Sequence, residues 1–244
     1  MTPAWLRTLP IAHRGLHDAA AGVPENSLAA FLGAAKAGYG AELDVQLSGD
    51  GIVMVFHDDT LDRLFGYKGR FGETPAAALE GSALLGSAET VPRLSEVLTR
   101  LAGATPLLIE VKAPFDRPFE TLLETLLPIV TAYEGPFALQ SFHPGVVDWL
   151  RAHAPALPRG QIATDAAEYR DRTPLQREQL LQDLAAGVGA PDFLAYDIRY
   201  LPSDLTRAAR EAGRPVLTWT VRTPEQRALA RAQAANLIFE QCEP

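Results

Sequence analysis

The feature that most constrains this chain is a set of apolar, strand-like runs that end in charged residues. Ile11-Ala12 runs into His13-Arg14-Gly15. Ala41-Glu42-Leu43-Asp44-Val45 is followed closely by Val53-Met54-Val55-Phe56 and then His57-Asp58. Leu107-Leu108-Ile109 leads into Glu110-Val111-Lys112. Short apolar runs rich in β-branched residues read as buried strands. A buried carboxylate costs several kcal/mol unless it is paired or holds a cation. The pattern recurs on at least four strands, always near the strand end, so the simplest account is one polar site at one end of a strand bundle.

Eight such runs are expected as strands: 9–13, 40–47, 107–112, 136–141, 160–164, 193–197, 215–220 and 236–240. The segments between several of them carry helix signals. Asn26 is expected to cap a helix whose apolar face includes Leu28, Phe31 and Leu32 and which stops at Gly38. Thr173-Pro174 and Thr223-Pro224 read as N-caps with proline in the first turn, and Gln176 and Gln226 complete capping boxes. Ser203 is expected to cap the helix before Gly213. Eight strands alternating with helices predict an α/β fold, the (β/α)8 or TIM barrel, over 1–244 as one domain.

One segment breaks the alternation. Residues 40–47 and 52–57 are separated only by Ser48-Gly49-Asp50-Gly51, which predicts an antiparallel hairpin after the second strand. That turn would place Glu42 opposite His57. Residues 59–92 then form a glycine-rich excursion, expected as a small insertion over the barrel mouth with Tyr67 and Phe71 on a mobile lip.

Glu42 and Asp44 share one strand face, because side chains two apart point the same way. Two carboxylates this close call for a cation, and Glu110 could complete the cage. The competing account makes one of the three an ion-pair partner of Lys112 or Arg14. Carboxylates without cysteine favour a hard ion, Mg²⁺ or Ca²⁺. His13 and His57 suit acid–base work near neutral pH. Arg14 offers a planar fork of donors for a phosphate, and Lys112 a point charge.

These stretches resemble the glycerophosphodiester phosphodiesterase family. The resemblance rests on His13-Arg14-Gly15, Pro24-Glu25-Asn26-Ser27, Glu42-Leu43-Asp44-Val45, Phe56-His57-Asp58, Val91-Pro92-Arg93-Leu94, Glu110-Val111-Lys112, Gln140-Ser141-Phe142 and Trp219-Thr220-Val221, in that order. It implies a TIM barrel with a small insertion and hydrolysis of a small glycerophosphodiester to glycerol 3-phosphate and an alcohol. It also implies roles: His13 and His57 as the acid–base pair; Glu42, Asp44 and Glu110 around a divalent cation; Arg14 and Lys112 on the phosphate; Phe142 and Trp219 beside the glycerol or leaving group. The end of the chain departs from the family pattern with Ile238-Phe239-Glu240-Gln241-Cys242. Two other readings stay open: a lysophospholipase D acting on lysophospholipids, and a barrel that only binds a phosphorylated metabolite.

Composition narrows the partners. The net charge is −8 and no basic stripe is present, which argues against nucleic acid. The single cysteine, Cys242, allows no intrachain disulfide. No apolar run is long enough to span a bilayer, and the first residues lack a signal-peptide pattern, so a cytoplasmic protein is expected. Oligomeric state is not legible.

Overall fold

The computed structural model describes residues 2–116, 118–170, 172–242 and 244. The chain divides into two compact units, Ile11–Phe137 and Met1–Pro10 with Ala138–Pro244.

The first unit contains β1 (Ile11–Ala12), β2 (Gly40–Leu47), β3 (Val53–Val55) and β4 (Leu107–Val111). β1 and β4 both pair with β2 in parallel, with Ala12 beside Ala41 and Asp44 beside Glu110. β3 folds back antiparallel on β2, as the short Ser48–Gly51 turn requires. Its register differs from expectation. Val45 faces Val55, and the Phe56 N–H donates to the Asp44 carbonyl, so Glu42 is not the residue opposite His57. A turn centred one half-residue later accounts for the shift.

The helix Leu28–Ala37 is capped by Ser27, whose hydroxyl accepts from the Ala30 N–H at 3.2 Å, and ends at Gly38 in the left-handed conformation. Asn26 is therefore not the cap. It is buried, also left-handed at φ 56°, and its amide is used elsewhere.

The insertion after β3 has a core of its own. Met54, Phe56, Leu61, Phe65, Phe71, Leu79, Leu84 and Val91 form one buried cluster. The Phe56 and Phe71 rings stack with centroids 4.7 Å apart. This corrects the expected aromatic lip: Phe71 is fully buried, because the apolar face of the hairpin needs a cover, and only Tyr67 of that pair is exposed.

The second unit contains β5 (Phe137–Ser141) from its second residue on, β6 (Arg159–Ala163), β7 (Phe193–Asp197), β8 (Val216–Val221) and β9 (Asn236–Phe239). Each pairs in parallel with the next. Between them lie the helices Pro144–His153, Pro174–Ala186, Asp204–Glu211 and Pro224–Gln233. Thr173 and Gln176 form a full capping box. Thr223 accepts from the Gln226 N–H, whereas the Gln226 side chain reaches the Arg222 N–H, one residue before the cap. The unusual chain end is absorbed into the fold: Phe239 is buried, and Glu240 pairs with Arg222 at 3.1 Å.

Eight strands alternating with helices, plus the antiparallel β3, make this a (β/α)8 barrel with a hairpin after its second strand. Among the described residues, no helix is long and apolar enough to cross a membrane.

Candidate active site

The site begins at the turn after β1. Gly15 has φ 78°, and its N–H donates to the Ala12 and Glu42 carbonyls. A Cβ there would lie 2.7 Å from that of Ala30, so only glycine fits. Arg14 is left-handed at φ 54°, a strained conformation for a side chain of its size. In return its backbone N–H donates to Glu42 Oε2 at 3.0 Å, and its guanidinium meets Glu25 Oε1 at 2.6 Å and lies 3.5 Å from Asp44 Oδ2.

Parallel pairing with β4 brings the third carboxylate in. Glu42 and Asp44 share a face of β2, and Asp44 is in register with Glu110. The three carboxylates offer ligand atoms that all lie within 4.8 Å of one another, and all three are buried. Glu110 belongs to the cluster and also forms an ion pair with Lys112 Nζ at 3.1 Å, the pairing that the competing account named. Lys112 is 3.8 Å from Asp44.

The three acids are held differently. Burial would raise the Asp44 carboxyl, but Lys112, His57 and Arg14, with a hydrogen bond from the Asn26 amide at 2.8 Å, hold it down at about 2. Glu42 is pushed well above the usual carboxylate range, first by burial and then by the charges of Asp44 and Glu110. The Arg14 N–H only partly offsets this. Burial works against the Lys112 charge, yet Glu110 and Asp44 raise its pKa and keep it protonated. Three acids face two neighbouring bases, an arrangement that could hold a cation.

His13 and Arg14 directly follow β1, and His57 follows the hairpin strand β3. His57 Nδ1 is 2.7 Å from Asp58 Oδ1. A carboxylate can only accept, so this hydrogen bond puts a ring proton on Nδ1. Arg63, from the insertion, contacts both Asp58 and Glu25. In the second unit, Phe142 and Trp219 meet edge to face with centroids 5.5 Å apart, and Trp219 Nε1 is buried without a hydrogen-bond partner.

Three residues around this site, Glu25, Asn26 and Arg63, are not among the site residues expected from sequence, where Asn26 reads only as a helix cap. Glu25 and Asn26 lie in a motif that carries the family resemblance, which was their only signal. Arg63 had none, since an arginine in a loop-rich segment reads as a solvated surface residue.

The model of the glycerophosphoryl diester phosphodiesterase family matches residues 13–240. This chain belongs to that family. Among curated relatives, a glycerophosphodiester phosphodiesterase of Caldanaerobacter subterraneus subsp. tengcongensis is 38% identical over 114 residues, 44% of this chain and 45% of that protein. The match thus spans a little under half of that relative's length. The uncharacterized protein YqiK of Bacillus subtilis is 33% identical over 171 residues, 66% of this chain and 69% of that protein. Among solved structures, a phosphodiesterase of Oleispira antarctica in complex with the product sn-glycerol-3-phosphate aligns with TM-score 0.77 and 26% identity, covering 95% of this chain and 93% of that one. A glycerophosphodiester phosphodiesterase of Thermotoga maritima shares the fold at TM-score 0.70 and 24% identity, over 95% and 93% of the two chains.

Proposed function

We propose that this chain hydrolyses glycerophosphodiesters to glycerol 3-phosphate and an alcohol with the help of a divalent cation, Mg²⁺ or Ca²⁺. The observation that carries the reading is the convergence of Glu42, Asp44 and Glu110, in a member of this family, on one under-compensated point. An all-oxygen, buried donor set with one carboxylate resisting ionisation fits a hard cation. Bound there by these three residues, the cation would supply Lewis-acid polarisation of the phosphoryl oxygens.

The remaining work falls to the chain's own groups. Arg14 and Lys112 offset phosphate charge. One of His13 and His57 takes a proton from the hydroxyl that attacks phosphorus, and the other gives a proton to the departing alkoxide. With the neighbouring glycerol hydroxyl as attacker, a cyclic phosphate forms, and water opens it with the two roles reversed. Asp58 orients the His57 ring for either task. Phe142 and Trp219, which pack edge to face, are the residues that the family resemblance assigns to the glycerol or leaving group.

A small substrate fits better than a membrane lipid. Within the insertion, Leu61, Phe65 and Phe71 are committed to a buried core, and only Tyr67 and Leu85 are exposed as large apolar side chains. That is too little to dock on a lipid surface. The test is turnover of glycerophosphocholine, glycerophosphoethanolamine and lysophosphatidylcholine by the purified chain, with Mg²⁺, with Ca²⁺ and with EDTA. Hydrolysis of the first two, abolished by EDTA and restored by metal, is expected. A preference for lysophosphatidylcholine would make it a lysophospholipase D. Metal-dependent binding of glycerol phosphate without any turnover would make it a binding barrel.

A further inference from the structure

A chain of charged contacts runs from Arg14, on the phosphate side of the site, to His57, on its acid–base side, and one residue of the insertion closes it. Arg63 lies in the short helix Asp62–Phe65. It gives Nε and Nη2 to Asp58 Oδ2 and Oδ1 at 2.7 and 2.9 Å. It gives Nη1 and Nη2 to Glu25 Oε2 and Oε1 at 2.7 and 2.8 Å. Four of the five N–H bonds of a guanidinium are thereby spent on two carboxylates. Each carboxylate passes the contact inward. Glu25 Oε1 accepts from Arg14 Nη1 at 2.6 Å, and Asp58 Oδ1 lies 2.7 Å from His57 Nδ1.

We propose that Arg63 is a positioning residue for the reaction: its double fork fixes Asp58 and Glu25, and through them the His57 ring and the Arg14 guanidinium. The inference rests on the phosphodiesterase reading above. An isolated surface ion pair would carry little weight. This contact differs in three respects. It is bidentate twice over. Its carboxylates are only 13% and 19% exposed, although Arg63 itself is 47% exposed. Both partners lean directly on groups assigned to substrate and proton transfer. The insertion residue Arg70 provides the contrast: its guanidinium pairs with Glu73 at 3.4 Å, and both side chains are exposed.

The fork shape is what the role requires. Lysine keeps the charge but presents a compact ammonium with three donors, and it cannot hold two planar carboxylates in register. An electrostatic role would therefore survive Arg63→Lys, whereas a positioning role would not. The arrangement also makes the insertion part of the catalytic geometry, because the element that carries Arg63 packs through Phe65 into the insertion's own core.

The test uses the full chain with metal and a glycerophosphodiester. Arg63→Lys is expected to lower kcat by roughly 10–100-fold, the scale of losing a residue that orients a reacting group, with KM changed less than about threefold. Arg70→Gln should stay within about twofold of wild type. Asp58→Asn combined with Arg63→Lys should lose less than the product of the two single losses, since the two variants share the Asp58 contact while the Glu25 contact belongs to Arg63 alone. In parallel, proton NMR should show a slowly exchanging His57 Nδ1–H in wild type that broadens away in Arg63→Lys. Wild-type kcat in Arg63→Lys, a loss confined to KM, or multiplicative losses in the double variant would overturn the inference. So would an unchanged Nδ1–H signal. Absence of turnover in wild type would instead remove the phosphodiesterase reading, and the NMR signal would still decide whether Arg63 orders His57.

Discussion

Glu42 and Asp197 are both carboxylates on barrel strands, and both are almost wholly shielded from water, at 2% and 1% exposure. Their surroundings are opposite. Asp197, the last residue of β7, accepts from the Thr164 hydroxyl at 3.1 Å, from the Arg199 N–H at 3.0 Å and from the Arg199 guanidinium at 2.6 Å. Its charge is answered within a few residues, and the Arg199 pKa rises in consequence, chiefly through the Asp197 hydrogen bonds. Glu42 accepts one backbone N–H and faces two more acids. A buried carboxylate that brings its own donors is structural. One left under-compensated beside like charges is a candidate ligand for a cation.

That contrast can be broken by experiment, most forcefully at the site. Single His13→Ala and His57→Ala replacements should each lower kcat by roughly 10²–10⁴-fold. Glu42→Gln should lose activity by about 10³-fold without rescue by excess substrate. Steady-state kinetics of the three variants on glycerophosphocholine checks this. Near-wild-type kcat in any one would remove that residue from the mechanism.

The next effect belongs to Asp197. Replacing Arg199 by Met leaves a buried carboxylate without its cation. It should cost about 2 kcal/mol in urea unfolding, less than breaking a fully buried pair, because Arg199 is itself half exposed and the Thr164 and backbone donors remain. A change near zero would mean that Asp197 is as poorly compensated as Glu42.

The smallest effect has the reverse sign. In metal-free protein, Glu42→Gln should be neutral or stabilising by about 1 kcal/mol, since it removes a buried charge that its neighbours oppose. The pH dependence follows from the direction of the shift. The folded pKa of Glu42 lies above its unfolded value, so its contribution to stability is full below the ordinary carboxylate range and is lost as pH rises through the raised folded value. Thermal unfolding of the metal-free protein should therefore weaken on raising pH from about 4 toward neutrality, where divalent metal should restore stability. A metal-free protein whose Tm rises steadily over that window through Glu42 would contradict the assignment.

Much of this was legible in the residues. The alternation of apolar runs with capped helices gave the barrel, because burial periodicity and cap chemistry are local properties. The strand-embedded acids marked the cluster, because a carboxylate in an apolar run has few other uses. The Ser48–Gly51 turn announced the hairpin, although its register came out shifted, since a turn's central residues are set by backbone geometry that composition does not specify.

What only the tertiary structure decided is who partners whom. Asn26 looked like a helix cap and instead clamps Asp44, because Ser27 took the cap and left Asn26 free to adopt a left-handed turn. Phe71 looked like a lip and is core, because the outer face of the hairpin needed covering. Arg63 looked like surface and bridges Glu25 and Asp58. Each outcome depends on residues 15 to 38 positions apart meeting in space. By itself the sequence determined which acids and bases the strand ends carry, since residue type and strand position suffice for that. The fold decided which groups balance each other and which stay open, because compensation of a buried charge depends on distance and direction, and both exist only once the strands are paired.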